Sequence, residues 1–150
     1  MAEFTGAWSA EGVAEFLGRT TVPVRLGCRT PADRPWMVSL WYRYDDGELV
    51  CATARDAAVV GYLEHDPDVS FEVSTNDPPY RGVRGNGAAR IGPDEDLAVL
   101  RSLLERYLGG TDSALADQLL GDERDEVAIR IAPEKLYSWD FSERMRDVSG

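Results

Sequence analysis

The spacing of apolar and polar positions changes period several times along the chain, and each change marks an element. Ser9 can cap a short helix from Ala10 to Leu17, ended by Gly18. Val22-Pro-Val-Arg-Leu-Gly-Cys28 alternates as a strand does, and Thr30-Pro-Ala-Asp-Arg-Pro35 is a turn cluster. Met37 to Tyr44 (MVSLWYRY) is rich in β formers and predicts one long strand. Asp45-Asp-Gly47 predicts a hairpin turn, and Glu48 to Thr53 the return strand. A helix is expected from about Asp56 to Glu64, with Asp56 as its N-cap and Pro67 just beyond its end. Val69 to Ser74 alternates and reads as a half-buried strand; Asn76-Asp-Pro-Pro79 is a loop.

Tyr80 to Ile91 carries Gly82, Gly85 and Gly87, which suits a bent or bulged strand close to a ligand or a second chain. After Pro93, the residues Leu97, Leu100, Leu103, Leu104 and Tyr107 share one helical face, and Gly109-Gly110 stops that helix. A shorter helix is expected from Ser113 to Leu120, followed by closing strands Glu126–Ile131 and Lys135–Phe141. The pattern therefore gives six or seven strands with three or four helices. Hairpin-type connections contradict a parallel sheet, so the expected architecture is a small antiparallel β-barrel with helices packed outside it.

A chain of 150 residues is one domain's worth. Net charge is −11, from 27 acidic and 16 basic residues, and Lys135 is the sole lysine. That acidity disfavours binding to nucleic acid or an anionic membrane, and it suits a halophilic source, where a carboxylate-rich surface stays soluble in high salt. No apolar run is long enough to span a membrane and no signal peptide is visible, so a cytoplasmic location is expected. Cys28 and Cys51 lie in strand-like runs without the spacing of a zinc or redox site, and read as two buried reduced thiols. With His65 the single histidine, no Ser/His/Asp or Cys/His set can be assembled and no haem-ligand pair is available. The run GVRGNG does not lead from a strand into a helix, so it is no dinucleotide fingerprint.

From Val24 to Ile91 the order of pieces resembles the pyridoxamine 5'-phosphate oxidase-like family, the FMN-binding split barrels. The pieces are VPVRLGCRT, the strand MVSLWYRY, DDGELVCAT, a short helix ending in LEHDP, DVSFEVS and the glycine-bearing RGVRGNGAARI. The tail VAIRIAPEKLYSWDFSERM is similar to the family's closing strands. The resemblance implies a six-stranded antiparallel split β-barrel with flanking helices, and a homodimer holding FMN at the subunit interface. It lays the isoalloxazine along Met37, Val38, Ser39, Leu40 and Trp41, with Ser39 and Trp41 on one face and Val38 and Leu40 on the other. It places Ala52 and Thr53 near the phosphate and gives Arg81 and Gly82 to a partner-chain contact. Trp41 and Trp139 are candidates to flank a ring system.

The family's first helical turn after that threonine carries serine and lysine or arginine. Here the matching positions are Ala57, Ala58 and Val59, and the basic residues of the long strand fall at Met37 and Tyr42. Each charge-assisted phosphate contact contributes about 1.5–3 kcal/mol, so their loss would weaken FMN unless Arg55, Arg43, Arg25, Arg81 or main-chain N–H groups stand in. Vitamin-processing members carry Arg-x-His near the C-terminus, and SWDFSERMRDVSG has no histidine, so pyridoxamine phosphate oxidation is not expected. The implied function is FMN binding, with oxidoreductase chemistry on a small-molecule substrate. The alternatives are a deazaflavin-dependent reductase of the same fold and a cofactor-free binding or structural dimer.

Overall fold

The computed structural model describes residues 2–121 and 125–145. In chain order the elements are β1 (Glu3–Gly6), α1 (Ala10–Arg19), β2 (Val24–Arg29), β3 (Pro35–Leu40), β4 (Arg43–Asp45) and β5 (Glu48–Ala54). They continue with α2 (Ala58–His65), β6 (Asp68–Ser74), β7 (Arg81–Pro93), a 3-10 turn (Glu95–Leu97), α3 (Ala98–Leu108), α4 (Ala114–Leu119) and β8 (Glu126–Asp140).

The fold is mainly antiparallel β with flanking helices, as the pattern predicts, but the sheet has eight strands rather than six. Its order is β3-β2-β6-β7-β8-β5-β4, with β1 added in parallel along the last part of β8. The order is open, yet its two terminal strands, β3 and β4, are joined by Trp41 and Tyr42 alone. Leu40 and Arg43 can be no more than about 11 Å apart along the chain, so the sheet must curl until its ends approach. That geometry makes a split barrel, closed by a covalent link and not by a hydrogen-bonded ladder.

The link corrects the expected single strand Met37–Tyr44. Tyr42 turns inward and is fully buried, its hydroxyl donating to the Leu17 carbonyl at 2.9 Å. Trp41 turns outward and stacks on Tyr107 with ring centroids 5.0 Å apart. The hairpin between β4 and β5 has Asp46 at φ 50° and Gly47 at φ 80°, the left-handed pair that a two-residue turn needs to match strand twist. β7 carries a bulge at Asn86/Gly87, as its glycines predict. The physical reason for Gly85 and Gly87 is backbone approach: a Cβ on either would lie 2.1 Å from the Lys135 oxygen or 2.2 Å from the Ala132 oxygen.

Alternation along the strands fills the barrel interior. Val24 and Leu26, Leu49 and Cys51, Val69, Phe71 and Val73, and Val127, Ile129 and Ile131 all face one core. α1 adds Val13, Phe16 and Leu17; α2 adds Val59, Val60 and Leu63. Burial pushes the Cys51 thiol up to about 12, and also raises Cys28, so both thiols are held in the unreactive protonated form. A second layer forms where α3 lays Val99 and Leu103 on the outer faces of Val50 and Ala128, and Leu100 and Leu104 meet Ala116 of α4. Asp94 caps α3, accepting from the N–H groups of Val99 and Leu100 at 2.9 and 3.0 Å. The helices α3 and α4 thus cover β5 and the first part of β8. Among the described residues no helix packs on the outer face of β3, β2, β6 and β7.

Candidate functional site

On that bare face the register lines up two rows of side chains. One runs Ser39, Arg25, Glu72, Arg84 and Tyr137; the other runs Met37, Gly27, Ser70, Asn86 and Lys135. Gly27 and Ser70 are small, so the second row sinks into a groove of about 410 Å³, walled by Arg25, Met37, Glu72 and Arg84. A neighbouring depression of about 380 Å³ shares Gly27, Met37 and Ser70 and extends to Pro35 and Trp36. Met37 is 66% exposed and Trp36 52%, high values for side chains of this apolarity.

β3 is a terminal strand, so one side of its main chain has no partner strand. Its alternation is as expected: Val38 and Leu40 pack against the barrel core, whereas Met37 and Ser39 face solvent. Trp41 departs from this surface. It packs with Ala52 beneath α3 and α4, with Tyr107 against its ring. Trp139 lies under the Arg84 guanidinium, 4.2 Å from its ring centroid.

Charge on the face is only partly neutralised. Glu72 pairs with Arg84 at 3.3 Å and accepts from the Ser74 hydroxyl at 3.1 Å. Arg25 stands opposite Glu72 in the register, yet its buried Nη1 has no hydrogen-bond partner among the described residues. Sequence pattern names Arg25 as a spare cation but gives no signal for Glu72 and Arg84, which only the register puts in the same row.

The helix start where the resemblance would place a phosphate is built differently. α2 begins at Ala58 with Ala57 as its N-cap and no side-chain cap bond. This corrects the expectation for Asp56, which stands one residue too early. Val59, the last of the three first-turn residues, is 5% exposed and belongs to the barrel core. Ala57 packs against the same core. Thr53 pairs with Val127 in the β5–β8 ladder. Arg55 is clamped twice to Asp125: its Nε donates to the carboxylate at 2.7 Å and its backbone N–H to the carbonyl at 2.8 Å.

Arg81 and Gly82 open β7. The Arg81 N–H donates to the Thr75 hydroxyl at 3.1 Å, and a Cβ on Gly82 would meet the Ser74 Cβ at 2.6 Å, so β6 lies close over that strand start. Among the described residues no hydrogen bond or ion pair joins the β3 group, the Ala52–Val59 group and the Arg81–Gly82 group within one chain. No cluster of three His, Cys, Asp or Glu side chains among them could hold a metal ion. No described helix is long and apolar enough to cross a membrane.

The residues fit the two ends of a flavin mononucleotide unequally. The free edge and outward side chains of β3 suit a flat ring with polar edges. The α2 start, with alanines, a core valine and an arginine already paired to aspartate, does not fit a phosphate dianion.

Comparison with known families matches residues 9–138 to the family described as pyridoxamine 5'-phosphate oxidase. Comparison with curated proteins finds no match. Among solved structures, a conserved hypothetical protein from Mycobacterium tuberculosis is 28% identical, with 93% of this chain and 89% of that one covered at a TM-score of 0.74. A protein named F420 reductase is 24% identical, covering 81% of this chain and 94% of that one at 0.68. A FAD-binding protein from Mesorhizobium loti is 21% identical, covering 87% and 93% at 0.63. The last two likenesses are ones of fold.

Proposed function

This chain belongs to the pyridoxamine 5'-phosphate oxidase family, and from that premise we propose that it binds a flavin-type ring along the free edge and outer face of β3, as a homodimer. The observation that carries the reading is the terminal position of β3 together with the exposure of Met37 and Ser39. Unpaired main-chain N–H and C=O groups suit the polar rim of a tricyclic ring, and a thioether beside them suits its flat face. FMN and a deazaflavin coenzyme share that ring shape, so the same strand serves either. Bound there, the group would supply hydride or electron transfer to a small molecule. The chain's own contribution is to orient the ring through β3 and to keep water from one face of it.

A second copy suits the bare sheet face because that face carries both signs of charge. Arg25 and Arg84 on one copy can meet Glu72 on the other under two-fold symmetry, which requires a self-complementary patch. Arg25, whose buried Nη1 has no hydrogen-bond partner among the described residues, gains most from such a meeting.

The apolar α2 turn favours a second reading, a cofactor-free dimer that keeps only the shape. Titration of riboflavin and FMN, followed by quenching of flavin fluorescence, separates the two. Saturable quenching is expected, weakened about tenfold or more by Met37→Asp, which puts a carboxylate where the ring would rest and leaves the core untouched. No quenching by either flavin at millimolar concentration would contradict the flavin reading and leave the cofactor-free dimer.

A further inference from the structure

We infer that the α2 end of the site is blind to phosphate, so that this protein takes a flavin by its ring alone and does not distinguish the phosphorylated from the unphosphorylated form. The inference rests on the flavin reading above for its ligand, and on four features of α2 for its content. The first turn offers Ala57, Ala58 and Val59, with no hydroxyl or cation among them. Val59 cannot be reached by a ligand, because its side chain is packed between α2 and the barrel. From Thr53 to His65 the one arginine is Arg55, and its guanidinium is held by Asp125.

The fourth feature is the sign of the surrounding charge. Asp56 is exposed directly before the helix, whereas Asp125 beside it is already paired with Arg55. The N–H of Ala57 is spent on the Ala54 carbonyl at 3.0 Å and that of Val60 on the Ala57 carbonyl at 3.0 Å. The amides of Asp56, Ala58 and Val59 remain to face a ligand. Backbone amides beside the Asp56 carboxylate give a dianion little net attraction, whereas two or three charge-assisted contacts would favour FMN over riboflavin by ~100-fold or more.

The test compares dissociation constants for FMN and riboflavin in wild-type protein and in Ala57→Ser/Ala58→Arg, which rebuilds part of the grip at one half-buried and one exposed position. Wild-type constants within about threefold of each other are expected; a larger preference for FMN would overturn the inference. The double variant is expected to bind FMN about tenfold more tightly while riboflavin is unchanged. An unaltered ratio would overturn the claim that the α2 start is where a phosphate would have been held.

A separate arm needs no flavin. Inorganic phosphate is titrated against the wild-type protein while the backbone amide resonances of Ala58, Val59 and Val60 are followed. No saturable shift is expected, and a saturable shift would overturn the inference. If neither flavin binds, the flavin reading falls by itself, and the phosphate titration alone then upholds or rejects a phosphate-blind α2.

Discussion

Replacing Gly85 by alanine is expected to destabilise the protein more than any surface change in the sheet. The new Cβ would lie 2.1 Å from the Lys135 oxygen and 2.8 Å from the Phe71 ring tip. The ring could yield, but the oxygen belongs to the backbone of β8, and β7–β8 is the long central ladder to which β5, β6 and β1 are attached. Overpacking of a close-fitted core typically costs about 1–3 kcal/mol, and a clash with backbone falls at or beyond the upper end. For a domain of this size that is a fall in Tm on the order of 10 °C. Thermal unfolding of Gly85→Ala measures it, with Gly61→Ala as the control, since a Cβ there meets nothing within 4 Å. Equal unfolding temperatures for the two variants would contradict the strand geometry described above.

Arg106→Ala is expected to have a comparable effect through a different cause. The guanidinium donates to the Gly18 carbonyl at 2.7 Å, to Leu17 at 2.8 Å and to Thr20, the orphan carbonyls at the end of α1. It also lies 5.0 Å from the ring centroid of Tyr42, and the Tyr42 hydroxyl donates to the same Leu17 oxygen. One side chain from α3 thus ties the C-terminus of α1 to the link that closes the barrel. Charged hydrogen bonds contribute about 1.5–3 kcal/mol each, and these share partners, so about 3 kcal/mol for the group is the expected loss. Arg106→Lys should recover only part of it, because an ammonium cannot span three carbonyls as the planar fork does. Denaturant unfolding of both variants checks the order wild type, lysine, alanine; a lysine variant as stable as wild type would show that the fork is not used.

Where an element's signal is local, it was legible in the sequence. The alternation of Val69, Phe71 and Val73 gives β6, and Leu100, Leu103 and Leu104 give α3 with its buried face. The break at Trp41–Tyr42 was not legible, because both residues are strand formers and the turn is imposed by the reach of Tyr42 to α1 and of Trp41 to α3. β1 was not legible either: four residues with no alternation pair with a segment more than 130 positions away. The reverse error is instructive around Pro133, where two closing strands, Glu126–Ile131 and Lys135–Phe141, were expected and one is formed. β8 runs through because β5 ends its pairing at Ile131 and β1 begins at Lys135, so on that side Pro133 owes no hydrogen bond.

The candidate site divides in the same way. The two faces of β3 follow from alternation, and the apolar α2 turn from residue identity. That Arg55 is engaged by Asp125, and that Arg25 has no such partner among the described residues, depends on non-local placement that no spacing reveals. Arg106 is equally hidden, since nothing in α3 says that its side chain reaches back 86 to 89 residues.

The claim on which the account turns is that a flavin-type ring rests on β3. The chain has three methionines, Met1, Met37 and Met145, and Met37 alone lies on that strand. With methyl-labelled methionine, addition of riboflavin should shift the Met37 resonance saturably through the ring current and leave the other two in place. Saturable binding that does not move the Met37 methyl would contradict the account.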